Sequence, residues 1–380
     1  MDFSLTPEQR QIQALARTFA REVVVPAAAG YDQSAAFPHP IVSEARKLGF
    51  THLIAPEAYG GVGLGPLEVV LVAEELAWGC AGIAATILLN NLVAEPLLIA
   101  GTKEQKQKYL ALLRESPGAY ALTEPHAGSD AGAIATRANK TADGWLLSGR
   151  KTWISHAPEA AFLVVFAKTG PEAAHKGISA FLVERGRKGL EVSKKLPKMG
   201  QRASSAAEVV LDEVELPADS LLGNEGDGFR IAMKVFDRSR PMVAAFAVGV
   251  SQRALDEAVH YATQREAFGQ PIHQFQGVGF KLAEMGMRTQ AARLLTREAA
   301  WKAQQGQPNT LEAAYAKAYA ADTAMWATTE AVQVFGGYGY STEYPVEKLM
   351  RDAKVLQIYE GTSEIQRTIM VRELVRDKRW

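Results

Sequence analysis

The chain carries a single cysteine, Cys80, so no disulfide can close within it and a cysteine-based zinc site lacks its ligands. Its seven histidines show no HExxH pattern or other ligand spacing, and no metal centre is expected. A GxSxG elbow is missing, which removes the serine-hydrolase reading. Net charge is missing too: 42 basic side chains cancel 42 acidic ones, so no global field draws the protein to nucleic acid or an anionic bilayer. An anionic ligand must therefore be held by a local cluster. The longest apolar stretch, residues 79–101, is interrupted by Asn90, Asn91, Glu95 and Pro96, and no membrane span is expected there. The opening MDFSLTPEQRQIQ has an acid at Asp2 and no apolar core, unlike a signal peptide or basic transit segment. A soluble protein in the reducing cytoplasm is the expectation.

What is present is an ordinary globular composition, 47% hydrophobic and 22% charged, on 380 residues, too many for one comfortable core. Thr6, Pro7 and Gln9 spell an N-cap, a first-turn proline and the closing residue of a capping box. Behind them Ile12, Leu15, Ala16, Phe19 and Val23 recur at helical intervals. Further helices are expected over residues 40–48, 66–78, 81–92 and 103–113. Between about residues 119 and 217 the texture changes to short runs rich in β-branched and aromatic residues (145–148, 162–167, 178–184, 190–193 and 208–216). With no crossover helices between them, they read as antiparallel. Helical periodicity then returns over 229–265, 276–304, 310–335, 346–358 and 362–375, with Pro241 expected to kink or restart the first of these. The fold class expected is α+β and multidomain. An N-terminal α-helical domain (1–117) precedes a middle antiparallel β-domain (118–222) and a C-terminal four-helix bundle domain (223–380).

Two glycine-rich stretches, 60–65 and 336–339, lack GxGxxG spacing and a βαβ setting, so a Rossmann site is rejected. The first reads as turn glycines; the second lies between helices, where backbone can approach a ligand. YALTEPHAGSD (120–130) and KTWIS (151–155) each read alone as a turn and a strand with a core tryptophan. Together they set amides, hydroxyls and an indole on one small domain, a combination able to clasp a flat heteroaromatic ring. YEGTSE (359–364) sets a carboxylate between an aromatic ring and a glycine, just where a helix begins.

YALTEPHAGSD, KTWIS, QREAFGQPI, QVFGGYGYSTEYPVEKLMRDAK and IYEGTSEIQR, in that order, resemble the successive signatures of the acyl-CoA dehydrogenase flavoenzymes. The resemblance covers essentially the whole chain. It implies an FAD cofactor, an acyl-CoA substrate and electron transfer flavoprotein as the acceptor of electrons. It also implies a homo-oligomer, at least a dimer and commonly a dimer of dimers. By resemblance, Tyr120, Leu122, Thr123 and Ser129 line the flavin, and Trp153, Ile154 and Ser155 cover its other edge. Arg265, Phe268, Gln276, Gln333, Gly336 and Gly337 would reach the flavin of a neighbouring subunit, with Thr362 and Glu364 completing the shell near a helix start. Ser129, Phe236, Asp237, Arg240, Tyr359 and Gly361 fall on substrate-binding positions. An Asp–Arg pair on a helix is ordinarily a solvated ion pair, and only the family context lifts Asp237 and Arg240 above that.

The family's general base falls on Glu360. A carboxylate beside an aromatic ring and a flavin is kept dry and therefore basic enough to take the proton α to a thioester. Gly361 would let the substrate approach the backbone, and the Glu360 N–H would donate to the thioester carbonyl. The bland reading, that Glu360 merely caps the last helix, is weaker because Ser363 and Gln366 suit a capping box. Members that take their base from the earlier helix would have it near Ser239, which is not an acid. The expected reaction is α,β-dehydrogenation of a saturated aliphatic acyl-CoA to the trans-2-enoyl-CoA. Ala84, Thr86 and Leu88 are the residues expected at the bottom of a small apolar cavity, with no arginine for a distal carboxylate. His126 departs from the family's usual glycine. The rival readings are an oxidase or flavin monooxygenase on the same scaffold, and a non-catalytic acyl-CoA-binding protein.

Overall fold

The structure is a computed structural model that describes residues 4–170 and 175–376. Residues 1–3 and 377–380, the ends of the first and last expected segments, lie outside it. Thr6 caps α1 (Pro7–Phe19) as its sequence demands: its hydroxyl accepts from the Gln9 N–H at 3.2 Å, and the Gln9 side chain accepts from the Thr6 N–H at 3.0 Å. A π turn, Ala20–Val24, then leads into α2 (Val25–Ser34), where Pro26 removes one helical donor. The wider turn rotates the buried face. Val24 is buried while Val23 is half-buried, and Leu15, expected inside, is exposed. Four more helices follow: α3 (His39–Lys47), α4 (Pro66–Gly79), α5 (Ala81–Ala100) and α6 (Lys103–Glu115).

Helix α5 runs well past the expected residue 92, through Pro96. By length and composition it could cross a membrane, yet 67% of its most apolar window is buried inside the protein. Its polar residues stitch it in place. Asn90 donates to the Leu113 and Ser116 carbonyls and accepts from the Gly118 N–H, while Asn91 donates to Phe50 and accepts from Ile54.

The middle segment forms β1 (Gly118–Ala121), β2 (Arg137–Lys140), β3 (Gly144–Ser155), β4 (Phe162–Lys168), β5 (Ile178–Glu184), β6 (Leu190–Val192), β7 (Ala206–Pro217) and β8 (Leu221–Leu222). Their order is β6-β7-β3-β2-β4-β5-β8, with β1 beside β4. Most pairings are antiparallel, as the short turns require, but β1 joins β4 in parallel, as does one residue of β2. Strand β3 is three times the expected length and absorbs the KTWIS motif. A register shift between Lys151 and Ile154 makes the difference: the backbone bulges, Trp153 takes φ +58°, and its indole is 58% exposed rather than in the core.

The C-terminal segment holds α7 (Gly228–Gln264), the small hairpin β9 (Glu266–Ala267) and β10 (Gln270–Pro271), α8 (Gln276–Gln304), α9 (Thr310–Phe335), α10 (Val346–Lys354) and α11 (Ser363–Arg376). Pro241 does not restart α7, which is helical throughout. A proline there leaves the Asp237 carbonyl without its usual amide. The buried Asn309 side chain takes its place, donating to that oxygen at 3.0 Å. One apolar cluster joins α1, α3, α4 and α5 to α7, α8 and α9; a second joins α5 and α6 to one face of the sheet; a third fills the other face. Tyr359 packs on the first of these and Tyr120 and Phe236 on the second, so the candidate site lies where two cores meet.

Candidate active site

Between α10 and α11 a short 3-10 turn, Val355–Gln357, leads into Tyr359, Glu360 and Gly361. Glu360 has φ +53° and Gly361 φ +91°, two consecutive left-handed residues. Such a turn persists only if its surroundings hold it. The Glu360 carbonyl accepts from Arg240 Nε at 3.4 Å and Gln366 Nε2 at 3.3 Å. The Gly361 carbonyl accepts from Lys317 Nζ at 2.6 Å and Gln366 Nε2 at 3.0 Å. Three helices, α7, α9 and α11, thus grip one turn. The expected capping box at Ser363 and Gln366 does not form: Thr362 is the cap, accepting from the Ile365 N–H, and Ser363 donates to Asp322. Gln366 instead serves the turn.

The Glu360 carboxylate accepts from the Ser239 hydroxyl at 2.5 Å. Burial pushes it above the usual carboxylate range, and Ser239, Arg240 and Lys317 pull in the opposite direction. Arg240 is only 4% exposed, so the solvated-ion-pair reading fails. Its guanidinium reaches Asp237 Oδ1 at 3.4 Å and lies 5.4 Å from the Phe236 ring centre, while Asp237 Oδ2 accepts from Thr310. The Tyr120 ring packs on Phe166 and Phe236, and its buried hydroxyl has no partner among the described residues. The Glu360 N–H likewise finds no acceptor among them.

The other sequence-predicted residues fall into two groups. On the sheet, the Thr152 N–H donates to the Thr123 carbonyl at 3.0 Å, tying the YALTE and KTWIS motifs together. Lys151 Nζ donates to the Leu122 carbonyl at 3.0 Å and to Glu124 at 2.8 Å, a fully buried ion pair. Ile154 is buried in the sheet core and Ser155 half-buried, whereas Ser129 stands exposed on its loop. His126 is exposed with its imidazole 3.6 Å from Glu124. The second group, Arg265, Phe268, Gln276, Gln333, Gly336 and Gly337, is exposed at the far end of α7, α8 and α9. Arg265, Gly336 and Gly337 line a cavity of about 440 Å³ with Tyr261 and Tyr338. No described hydrogen bond, ion pair or ring contact joins this group to the sheet.

The chain matches "Acyl-CoA dehydrogenase, N-terminal domain" over 6–115, the middle domain over 119–214 and the C-terminal domain over 226–375. It belongs to the acyl-CoA dehydrogenase family. Among solved structures it is similar to butyryl-CoA dehydrogenase from Megasphaera elsdenii, at 44% identity and TM-score 0.96, covering 99% of this chain and 100% of that one. A chain from a structure described as the electron transferring flavoprotein of Acidaminococcus fermentans matches at 42% identity and TM-score 0.95, over 99% and 100% of the two chains. PigA, solved with FAD and proline, matches at 31% identity and TM-score 0.96, over 99% of each chain.

The residues present fit the family's flavin. Trp153 and Phe268, large rings 58% and 97% exposed, offer apolar faces, and a Cβ at Gly336 or Gly337 would face open space, with no atom within 4 Å. The family reading missed the groups that hold Glu360. In the sequence Ser239 stands only as a position without an acid, and nothing links Lys317 or Gln366 to the turn. A signal for Lys317 was present: it interrupts the apolar stripe Ala313, Ala320, Ala324 and Ala327 of α9, where a lysine has no solvent to reach. Ala84, Thr86 and Leu88 are buried in the helical core; the half-buried residues of that helix face are Ala85 and Leu89.

Proposed function

We propose that this FAD-dependent oxidoreductase converts a short saturated acyl-CoA to its trans-2-enoyl-CoA, with Glu360 as the base. The observation that carries the reading is the Glu360 carboxylate itself. It is desolvated enough to be basic, hydrogen-bonded to Ser239, and set on a turn whose Glu360 and Gly361 carbonyls are both engaged. Glu360 takes the proton from the carbon next to the thioester and holds it on its carboxyl group. Its unpartnered N–H is a donor for the thioester oxygen as negative charge develops there. Bound FAD supplies the acceptor for the hydride that leaves the β-carbon. Leu122, Thr123 and Trp153 would hold the flavin ring, with Arg265, Gln276 and Gly336 serving that of a second copy. Arg240 and Asp237, buried beside Phe236, orient the thioester arm.

A butyryl-sized chain is favoured by the similarity to the Megasphaera enzyme and by α5, which carries no arginine to meet a distal carboxylate. The 42% likeness to the Acidaminococcus chain supports an electron transfer flavoprotein as acceptor. A cytoplasmic homo-oligomer completes the proposal. Its support is a stripe on α8 where Phe280, Met287, Leu294 and Trp301 recur every seventh residue and remain between 42% and 67% exposed.

The test is anaerobic titration of the yellow protein with acyl-CoAs of graded length. Bleaching is expected to be fastest near four carbons (about the size of the Megasphaera substrate). Glu360→Gln should retain fold and colour but lose bleaching by about four orders of magnitude or more. Bleaching that survives in the Gln variant overturns the assignment, and fast reoxidation in air with ligand bound would favour an oxidase.

A further inference from the structure

Lys317 has no relative solvent exposure at all, yet its ammonium donates to one described acceptor, the Gly361 carbonyl, at 2.6 Å. Burying a cation is expensive, and a leucine or methionine on this face of α9 would pack without that cost. The position of its hydrogen bond explains the expense. Gly361 follows Glu360 in a left-handed pair, and its carbonyl is the part of that turn that Lys317 of α9 holds.

We infer that Lys317 is a positioning residue for the reaction: it locks the turn that presents Glu360 and sets one of two positive charges against that carboxylate. The inference rests on the assignment of Glu360 as base. Arg240 is the second charge, and the two cations differ in attachment. Arg240 holds the Glu360 carbonyl loosely at 3.4 Å, whereas Lys317 holds the next carbonyl at 2.6 Å. Gln366 bridges both oxygens, so the turn is fixed from α7, α9 and α11 together. The groups facing Lys317 are Glu360 on the turn, Arg240 from α7, Asp322 on its own helix and Glu364 from α11. Those facing Glu360 are Ser239, Arg240, Lys317, Tyr120 and Tyr359. Burial lowers the Lys317 ammonium to about 8, with the charge of Glu360 opposing it. It stays protonated through the neutral range, where Glu360 must be ionised.

Two functions predict two separable effects. Charge lowers the acid limb of the pH–rate profile; the grip sets the maximum rate. The FAD-loaded protein is mixed anaerobically with butyryl-CoA in a stopped-flow instrument at a series of pH values, with FAD content and denaturant midpoint measured alongside. Lys317→Gln, neutral but still a donor, should move the acid limb up by about one pH unit. Lys317→Arg should leave that limb in place. Gln366→Leu, which removes a donor but no charge, should leave the limb in place and lower the maximum rate about tenfold. An unmoved limb in Lys317→Gln, or an equal shift in the Arg variant, overturns the role of the charge. An unchanged maximum in Gln366→Leu overturns the grip, and does so even if Lys317→Gln fails to take up FAD. Failure of the underlying assignment looks different, because Glu360→Gln would then still bleach.

Discussion

Position 361 must satisfy two constraints at one atom. Its φ of +91° is strained for any residue with a Cβ, and a Cβ there would sit 2.5 Å from the Gln366 amide nitrogen. The expectation that glycine serves substrate approach is therefore incomplete: the nearest obstacle is the protein's own clamp. Gly361→Ala should cost about 1–2 kcal/mol of local conformational energy and displace the amide that holds both carbonyls. Single-turnover bleaching should slow by about tenfold or more while FAD stoichiometry is kept; an alanine variant bleaching at the wild-type rate would show that the turn needs neither the glycine nor its clamp. His156 offers a pH test at the same scale. It is buried beside Phe37, and burial pushes its imidazole down to about 3, with the backbone of Gly118 and Thr86 pulling weakly the other way. The unfolded chain binds a proton near pH 6.5 and the folded chain does not until about pH 3, so stability falls as pH drops through that window. The limiting slope is about 1.4 kcal/mol per pH unit. His156→Asn keeps a residue tolerant of its φ of +62° and removes the titration. Denaturant midpoints between neutral and mildly acid pH should then flatten, and an unchanged slope would assign it elsewhere. Glu360 itself was legible because its neighbours in sequence carry the motif. Its real partners were not, because Ser239 lies 121 residues from Glu360 and Lys317 lies 44 from Gly361, and only the packed helices bring them to the turn.

At the scale of elements, helical periodicity and turn residues located most of the long helices and of the expected strands to within a few positions, but α2, β1 and β2 were not expected, and the larger errors have physical causes. Helix α5 outran its expected end at residue 92 because it continues through Pro96, with Asn90 and Asn91 paired to neighbouring backbone inside the core. Residues 145–148 and the KTWIS stretch read as separate pieces, whereas irregularities at Gly149 and between Lys151 and Ile154 let one ladder run through both. Pro241 does not restart α7, because a side chain from another element supplies the missing donor. That exchange is testable. Asn309→Leu would leave the Asp237 carbonyl bare inside the protein, at about 1–3 kcal/mol, read as a lower denaturant midpoint with an unchanged slope. Restoring the helical amide with Pro241→Ala in the same chain should recover most of the loss. Additive effects of the two changes would show that the amide and the proline are not partners.

For the whole molecule, both groups of residues proposed to hold the flavin lie on the outside of a single chain. The sheet group around Trp153 and the group at Arg265, Phe268 and Gly336 are both exposed, and nothing described joins them. A flavin held at one group within one chain would use half of what the chain offers. A second copy resolves this if its far end covers the sheet group of the first, and the apolar stripe of α8 is the surface on which two copies would meet. Four large side chains at seven-residue spacing bury well only against another helix. Oligomer and cofactor should then be lost together. Met287→Asp with Leu294→Asp places like charges in the stripe, where pairing two copies would bury four unpaired carboxylates per contact. Sedimentation should report a smaller particle, and the yellow colour should leave with the same concentration dependence. The far-UV spectrum should stay helical, since neither residue is in a core. A dissociated particle that keeps FAD at full stoichiometry would place the whole cofactor on one chain and return Arg265 and Gly336 to the surface; an undissociated particle would move the contact away from α8.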